Sequence, residues 1–211
     1  MKGLLLKDYY EIRNQFGLII PLIGVYAVAT SFIGDSFMFS AAYVLVGMVT
    51  MLLAMLPTSS FAFDEWSGWD MYGLTMNITR KQIVDAKYVL IFITAGVIFL
   101  VDWLILVLYG EGIAFGGVAA FTFAGLTLPI NGIMTPAIFK WGSEKGRMIL
   151  MGMVLIPILL APFIPKDLSL ETWNPSITTL LLIFAGIIFL FFGIITLSYF
   201  ASLHIFKKRD I

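Results

Sequence analysis

The chain alternates between long apolar runs and short polar breaks. A helix that crosses a bilayer needs about 20 mostly apolar residues at 1.5 Å of rise each. Six runs qualify: Phe16–Ile33, Phe37–Phe61, Tyr88–Tyr109, Ile113–Phe139, Met148–Ile164 and Ile177–Ile205. Only Gly34, Asp35 and Ser36 separate the first two, which predicts a tight helical hairpin. Gly110, Glu111 and Gly112 separate the third and fourth, and Pro165 to Ser176 separate the fifth and sixth. The runs are continuous rather than alternating in segments of about ten residues, which excludes a transmembrane β-barrel. The expected fold is an all-α integral membrane protein, a single unit over residues 1–211 with six transmembrane helices. The last span, Ile177–Ile205, would measure about 43 Å if helical throughout, so it tilts or projects beyond the bilayer.

Two segments outside the spans carry patterns of their own. In residues 1–15, Leu5, Tyr9 and Ile12, followed by Phe16, share one helical face, with Lys7, Glu11 and Asn14 opposite. This predicts an interfacial helix lying among the headgroups before the chain turns into the membrane. Residues 64–87 form the longest polar stretch. At 24 residues it is long for a connection between helices, where about 2–8 is usual. Trp66, Trp69, Met71, Tyr72, Leu74, Met76 and Ile78 argue against disorder. Thr79 followed by Gln82 is a capping box, so the third spanning helix starts near Arg80. Asp64 to Gly73 predicts a short helix of its own, its aromatic side on lipid or the bundle, with Asp64, Glu65 and Asp70 free. An apolar yet charged helix outside the membrane suits a docking surface for a soluble partner; the alternative is a loop that packs on its own bundle.

Composition narrows the class. The chain is 60% hydrophobic and 12% charged, against about 45–50% and about 25% in soluble domains. An ordinary soluble globule and a disordered chain are both excluded. With no cysteine and one histidine, His204, there is no disulfide framework and no multi-histidine or thiolate metal site. Net charge is zero, so nothing favours nucleic acid. The placement of the charges is more informative. Twelve of the thirteen cations lie on one side of the spans: Lys2, Lys7, Arg13, Arg80, Lys81, Lys87, Lys140, Lys145, Arg147, Lys207, Lys208 and Arg209. Lys166 alone lies opposite. The positive-inside rule then puts both termini in the cytoplasm. The basic start and Ala27-Val28-Ala29 imitate a cleaved signal peptide, but the long polar lead-in and five further spans favour a retained first helix. In the connection Phe139 to Arg147, Gly142 and Gly146 permit a tight turn, and its cations face the anionic leaflet.

Within the spans, Asp102 is the acid set deep in the bilayer, a functional candidate because a charge there is costly. It would line an outward-facing pathway or sit protonated among helix neighbours. Span four carries Pro129 and Pro136 with Asn131 between them, a hinge or a bend whose freed carbonyls need donors. Pro157 and Pro162 lie in span five. Gly116 and Gly117 allow close helix approach. No phosphate-binding GxxxxGK[ST] loop, HExxH or GxSxG is present, so an enzyme is poorly supported and any energy source lies elsewhere.

The segment from Glu65 through Trp69, Tyr72 and Leu74 to Thr79-Arg80-Lys81-Gln82-Ile83-Val84 and Ala86-Lys87-Tyr88 resembles a pattern in the small six-span permease subunits of ABC-2 type ABC transporters, such as Gram-positive peptide and drug exporters. Pro136 to Gly142 with Glu144 to Arg147 resembles the loop after span four in that family. Where the family pattern has proline after the leucine, this chain reads Met76-Asn77. The resemblance implies a permease with no ATPase of its own, pairing with a second permease chain, identical or related. It implies two copies of a separate ABC ATP-binding subunit that carry ATP and Mg and dock on residues 64–87. This chain would then bind no cofactor or metal itself. On that reading Glu65, Asp70 and Arg80 are the polar contacts with the ATPase partner, Trp66, Trp69, Met71 and Tyr72 the packing anchors, and Asp102 and Asn131 candidates for the pathway. Two alternatives stand beside it: an immunity or regulatory membrane protein without an ATPase, and a proton-coupled transporter using Asp102.

Overall fold

A computed structural model describes residues 2–31, 35–76, 78–160 and 177–208. Regular structure among the described residues is entirely helical: α1 (Lys2–Ser31), α2 (Asp35–Ala54), α3 (Leu56–Ser67), α4 (Trp69–Thr75), α5 (Arg80–Leu108), α6 (Ile113–Trp141), α7 (Ser143–Leu160) and α8 (Ile177–Lys208). Among the described residues, four stretches are long and apolar enough to cross a membrane: Ala42–Ser67, Arg80–Leu108, Ile113–Trp141 and Ala185–Lys208. The other two expected spans, 16–33 and 148–164, fall on α1 and α7, where many side chains lie outside the described residues. Pro162, the connection 165–176 with Lys166, and Arg209 also lie outside them.

Two boundaries differ from the sequence reading. α1 runs unbroken from Lys2 to Ser31 with Pro21 inside it, so no turn separates the expected interfacial stretch from the first span. The second span is two helices. Pro57, at the start of α3, lacks the N–H that would bond the Leu53 carbonyl, and the helix is interrupted at Met55. The new helix is tied down by Ser59, whose backbone N–H donates to the Met55 carbonyl at 3.0 Å and whose hydroxyl donates to the Leu56 carbonyl at 2.8 Å.

The start of α5 is as the sequence predicts. Thr79 accepts from the Gln82 N–H at 3.3 Å, and the Gln82 side chain accepts from the Thr79 N–H at 3.0 Å. From there α5 runs through the centre of the molecule, packed against α2 on one side and α6 on the other, with α8 closing on α6. One apolar core joins Leu45, Val46 and Val49 of α2 to Ile98, Ile105 and Leu106 of α5 and Ala120 and Ala124 of α6. A second joins Phe61, Val84, Met134, Phe139 and Phe206 at the basic end.

A polar seam lies between α5, α6 and α8. Pro136 has no N–H for the Gly132 carbonyl. Ser198 of α8 donates to that carbonyl instead. The Tyr88 hydroxyl bridges Ser198 at 2.5 Å and Ser202 at 2.9 Å. The donor for the carbonyl that Pro136 leaves free thus comes from a neighbouring helix. Asn131, between the two prolines, donates to the Thr127 carbonyl of its own helix at 3.0 Å. At the opposite end of the bundle, Tyr43 donates to Glu111 at 2.9 Å, and the Gly110 backbone turns at φ 91°. Gly116 and Gly117 lie against Trp103 and Leu106, where an added Cβ would sit 3.4–3.6 Å from its nearest neighbour on α5.

Candidate functional site

The basic end gathers the start of α1, all of α3 and α4, the start of α5, the α6–α7 turn and the end of α8. Its centre is a buried ion cluster. Lys87 Nζ lies 3.0 Å from Asp8 Oδ1 and 2.5 Å from Asp64 Oδ2, and donates to Ser60 Oγ at 2.6 Å. Ser60 in turn donates to Asp8 at 2.9 Å. Lys7 Nζ contacts Asp64, lies 3.2 Å from Glu11 and 3.6 Å from Asp8, and sits over the Trp69 ring at 4.6 Å. Two ammonium groups therefore face three carboxylates. Burial pushes the Glu11 carboxyl up from its ordinary value, while Lys7 beside it pulls the other way. Oxygens of Asp8, Glu11 and Asp64 approach within 4.8 Å of one another, close enough to hold a metal ion. The two ammonium groups already balance two of the three carboxylate charges there.

This arrangement corrects two expectations. Asp64 is not free for a partner; it is buried between two lysines. The face of α1 turned to the bundle is Leu4, Asp8 and Ile12, with Lys7 and Glu11 at its edge, while Tyr9 is exposed. Asp8 shares a face with apolar Leu4 and Ile12 at four-residue spacing, and Lys87 lies two turns inside an apolar helix. Both are sequence signals of a buried pair that charge counting by loop overlooks.

The expected short helix 64–73 is two elements. α3 carries Asp64 and Glu65 in its last turn and ends at Gly68, whose φ of 66° closes the helix left-handed. α4 then holds Trp69, Asp70, Met71 and Tyr72. The side chains of Asp70 and Met71 lie outside the described residues. Trp69 is half-buried against Gly73, where an added Cβ would sit 3.6 Å from its indole nitrogen. Trp66 is 88% exposed and Tyr72 55%, with Met76 exposed beyond them. The junction thus anchors one indole and presents another.

Glu65 and Arg80 both engage this chain. Glu65 Oε2 accepts from the Ser143 N–H at 2.7 Å. Arg80 donates to the carbonyls of Phe206 and Lys207, both at 2.9 Å, at the C-terminal end of α8. Cationic donors suit that end because the last carbonyls of a helix lack partners. In the α6–α7 turn, Gly142 takes φ 88° as expected, whereas Gly146 is helical and packs against Ile138.

The two pathway candidates are apart from this junction and from each other. Asp102 is fully buried on α5 and accepts from Thr50 of α2 at 2.6 Å; its other oxygen has no hydrogen-bond partner among the described residues. Asn131 is buried on α6.

A family model described as ABC-2 family transporter protein matches residues 3–207, nearly the whole chain. The chain belongs to the ABC-2 transporter family. Comparison with curated proteins and with solved structures finds no match. As an ABC-2 permease, it is a multi-pass membrane protein, and its family works with ABC ATP-binding partners. The polar junction at its basic end contains residues 65–88, the segment that resembles the pattern of that family.

Proposed function

We propose that the chain is the transmembrane permease subunit of an ATP-driven ABC-2 exporter. It has six spans and cytoplasmic termini, and it pairs with a second permease chain, identical or related. Two ATP-binding subunits carry ATP and Mg and dock on α3–α4. The observation that carries this reading is the contrast within one short segment. Asp64 and Trp69 fasten it to the bundle, while Trp66 and Tyr72 stand exposed beside a left-handed break at Gly68. An exposed indole on an anchored platform is the kind of residue that dominates binding energy at interfaces.

The cargo proposed is an amphipathic peptide or another hydrophobic compound. A cavity of about 640 Å³ between α5, α6 and α8 supports this, with Phe99, Phe121, Phe191 and Ile195 in its walls. Proton coupling through Asp102 has less support, since that carboxyl is closed in between α2 and α5.

Trp66→Ala tests the docking surface. Loss of a central tryptophan costs at least about 2 kcal/mol, so affinity for the ATP-binding subunit is expected to fall roughly thirtyfold. Because Trp66 is exposed, the melting temperature of the purified permease should hold. Unchanged binding of the ATP-binding subunit to this variant would overturn the assignment.

A further inference from the structure

We propose that Glu65 is a positioning residue that latches the docking platform to the α6–α7 turn, so that movement of α3–α4 reaches α6 and α7 through its carboxylate. This rests on the exporter reading above and departs from the expectation that Glu65 serves as a contact with the ATPase.

Glu65 stands three residues before Gly68, at the end of α3 nearest the exposed Trp66. One carboxylate oxygen, Oε2, accepts from the Ser143 N–H at 2.7 Å. Ser143 opens α7, and the first N–H groups of a helix have no acceptor within the helix and carry its positive end. A carboxylate there makes a short, charge-assisted bond. The other oxygen, Oε1, rests on Gly142, where a Cβ would lie 2.6 Å away. Gly142 also has φ 88°, a conformation that residues with a side chain rarely adopt. The missing side chain thus serves twice, making the turn and leaving room for the carboxylate. Beside this seat, Phe61 of α3 meets Phe139 of α6 edge-on at 5.1 Å. Apolar faces can slide over each other, whereas a carboxylate held by a helix N-terminus fixes one register. A push on α3–α4 is therefore delivered to the α6–α7 turn.

The test uses the permease with its ATP-binding subunit in lipid nanodiscs, comparing wild type with Glu65→Ala, Glu65→Gln and Gly142→Ala. Nitroxide labels go on Thr75→Cys and Lys145→Cys, both exposed and unique because the chain has no native cysteine. In the wild type, the distance between the labels should stay the same when ATP is trapped, because platform and turn move together. Glu65→Ala should make that distance nucleotide-dependent. It should also cut coupling of ATP hydrolysis to transport at least about fivefold, the lower end of typical coupling energies between sites, with the amount of co-purified ATP-binding subunit unchanged. Gly142→Ala, with Glu65 intact but displaced from its seat, should do the same. Glu65→Gln keeps an acceptor for the Ser143 N–H and should remain within about twofold of wild type.

Loss of co-purified subunit in Glu65→Ala, with Gly142→Ala normal, would make Glu65 a partner contact and overturn the latch. Intact coupling in Glu65→Ala would overturn it as well. A wild-type permease that retains no ATP-binding subunit would overturn the exporter reading and the latch together.

Discussion

Lys87→Met is expected to destabilise the permease by about 3–5 kcal/mol, the range for removing one partner of a buried ion pair. The side chain is buried and lies between Asp8 and Asp64. Methionine fills similar space but leaves Lys7 alone to balance Asp8, Glu11 and Asp64, and Ser60 loses its donor. Three helices, α1, α3 and α5, meet through these atoms, so their separation should appear as a lower unfolding midpoint in mild detergent. Replacing buried charged partners together by apolar residues of similar volume is often neutral or stabilising. Lys87→Met combined with Asp8→Leu and Asp64→Leu, which leaves Lys7 paired with Glu11, should therefore recover most of the loss. A single variant within about 0.5 kcal/mol of wild type, the range of ordinary surface changes, would show that the cluster is not a structural keystone.

Phe206→Ala should cost a similar amount, about 3–5 kcal/mol for emptying a buried phenylalanine site. Phe206 is fully buried near the end of α8. Its ring lies 4.9 Å from that of Phe139, which meets Phe61 of α3, so three helices share one aromatic cluster. Its backbone carbonyl also accepts from Arg80. The variant should unfold at lower temperature, and its coupled ATPase should fall because α3 loses support from behind. Denaturant unfolding in detergent would measure the first effect. A loss below about 1 kcal/mol would mean that the neighbouring rings collapse into the space.

The sequence discloses the elements of this protein better than its contacts. Apolar run length reveals the long helices because one physical requirement, crossing hydrocarbon, dominates the pattern. The start of α5 is legible to the residue because a capping box is a local device, complete within Thr79 to Gln82. The break at Met55 is written in Pro57, but an apolar run conceals it when only hydropathy is counted. The ion cluster is illegible by that method. Lys7 and Asp64 look like solvated charges in their own segments, although they lie 57 residues apart and pair, and the Asp8–Lys87 pair spans 79 residues. For the same reason the position of Glu65 on Gly142 cannot be read from either loop alone. The exposed aromatic residues beside Gly68 lie between these extremes: their composition suggests a docking surface, but only the fold separates the anchored Trp69 from the presented Trp66.

Stoichiometry tests the central claim most directly. The permease would be expressed with its candidate ATP-binding subunit, purified in mild detergent, and weighed intact by native mass spectrometry while its ATPase rate is followed. The account predicts a stable assembly of two permease chains and two ATP-binding subunits with measurable hydrolysis. A permease that purifies alone, with no ATP-binding subunit and no hydrolysis, would contradict it.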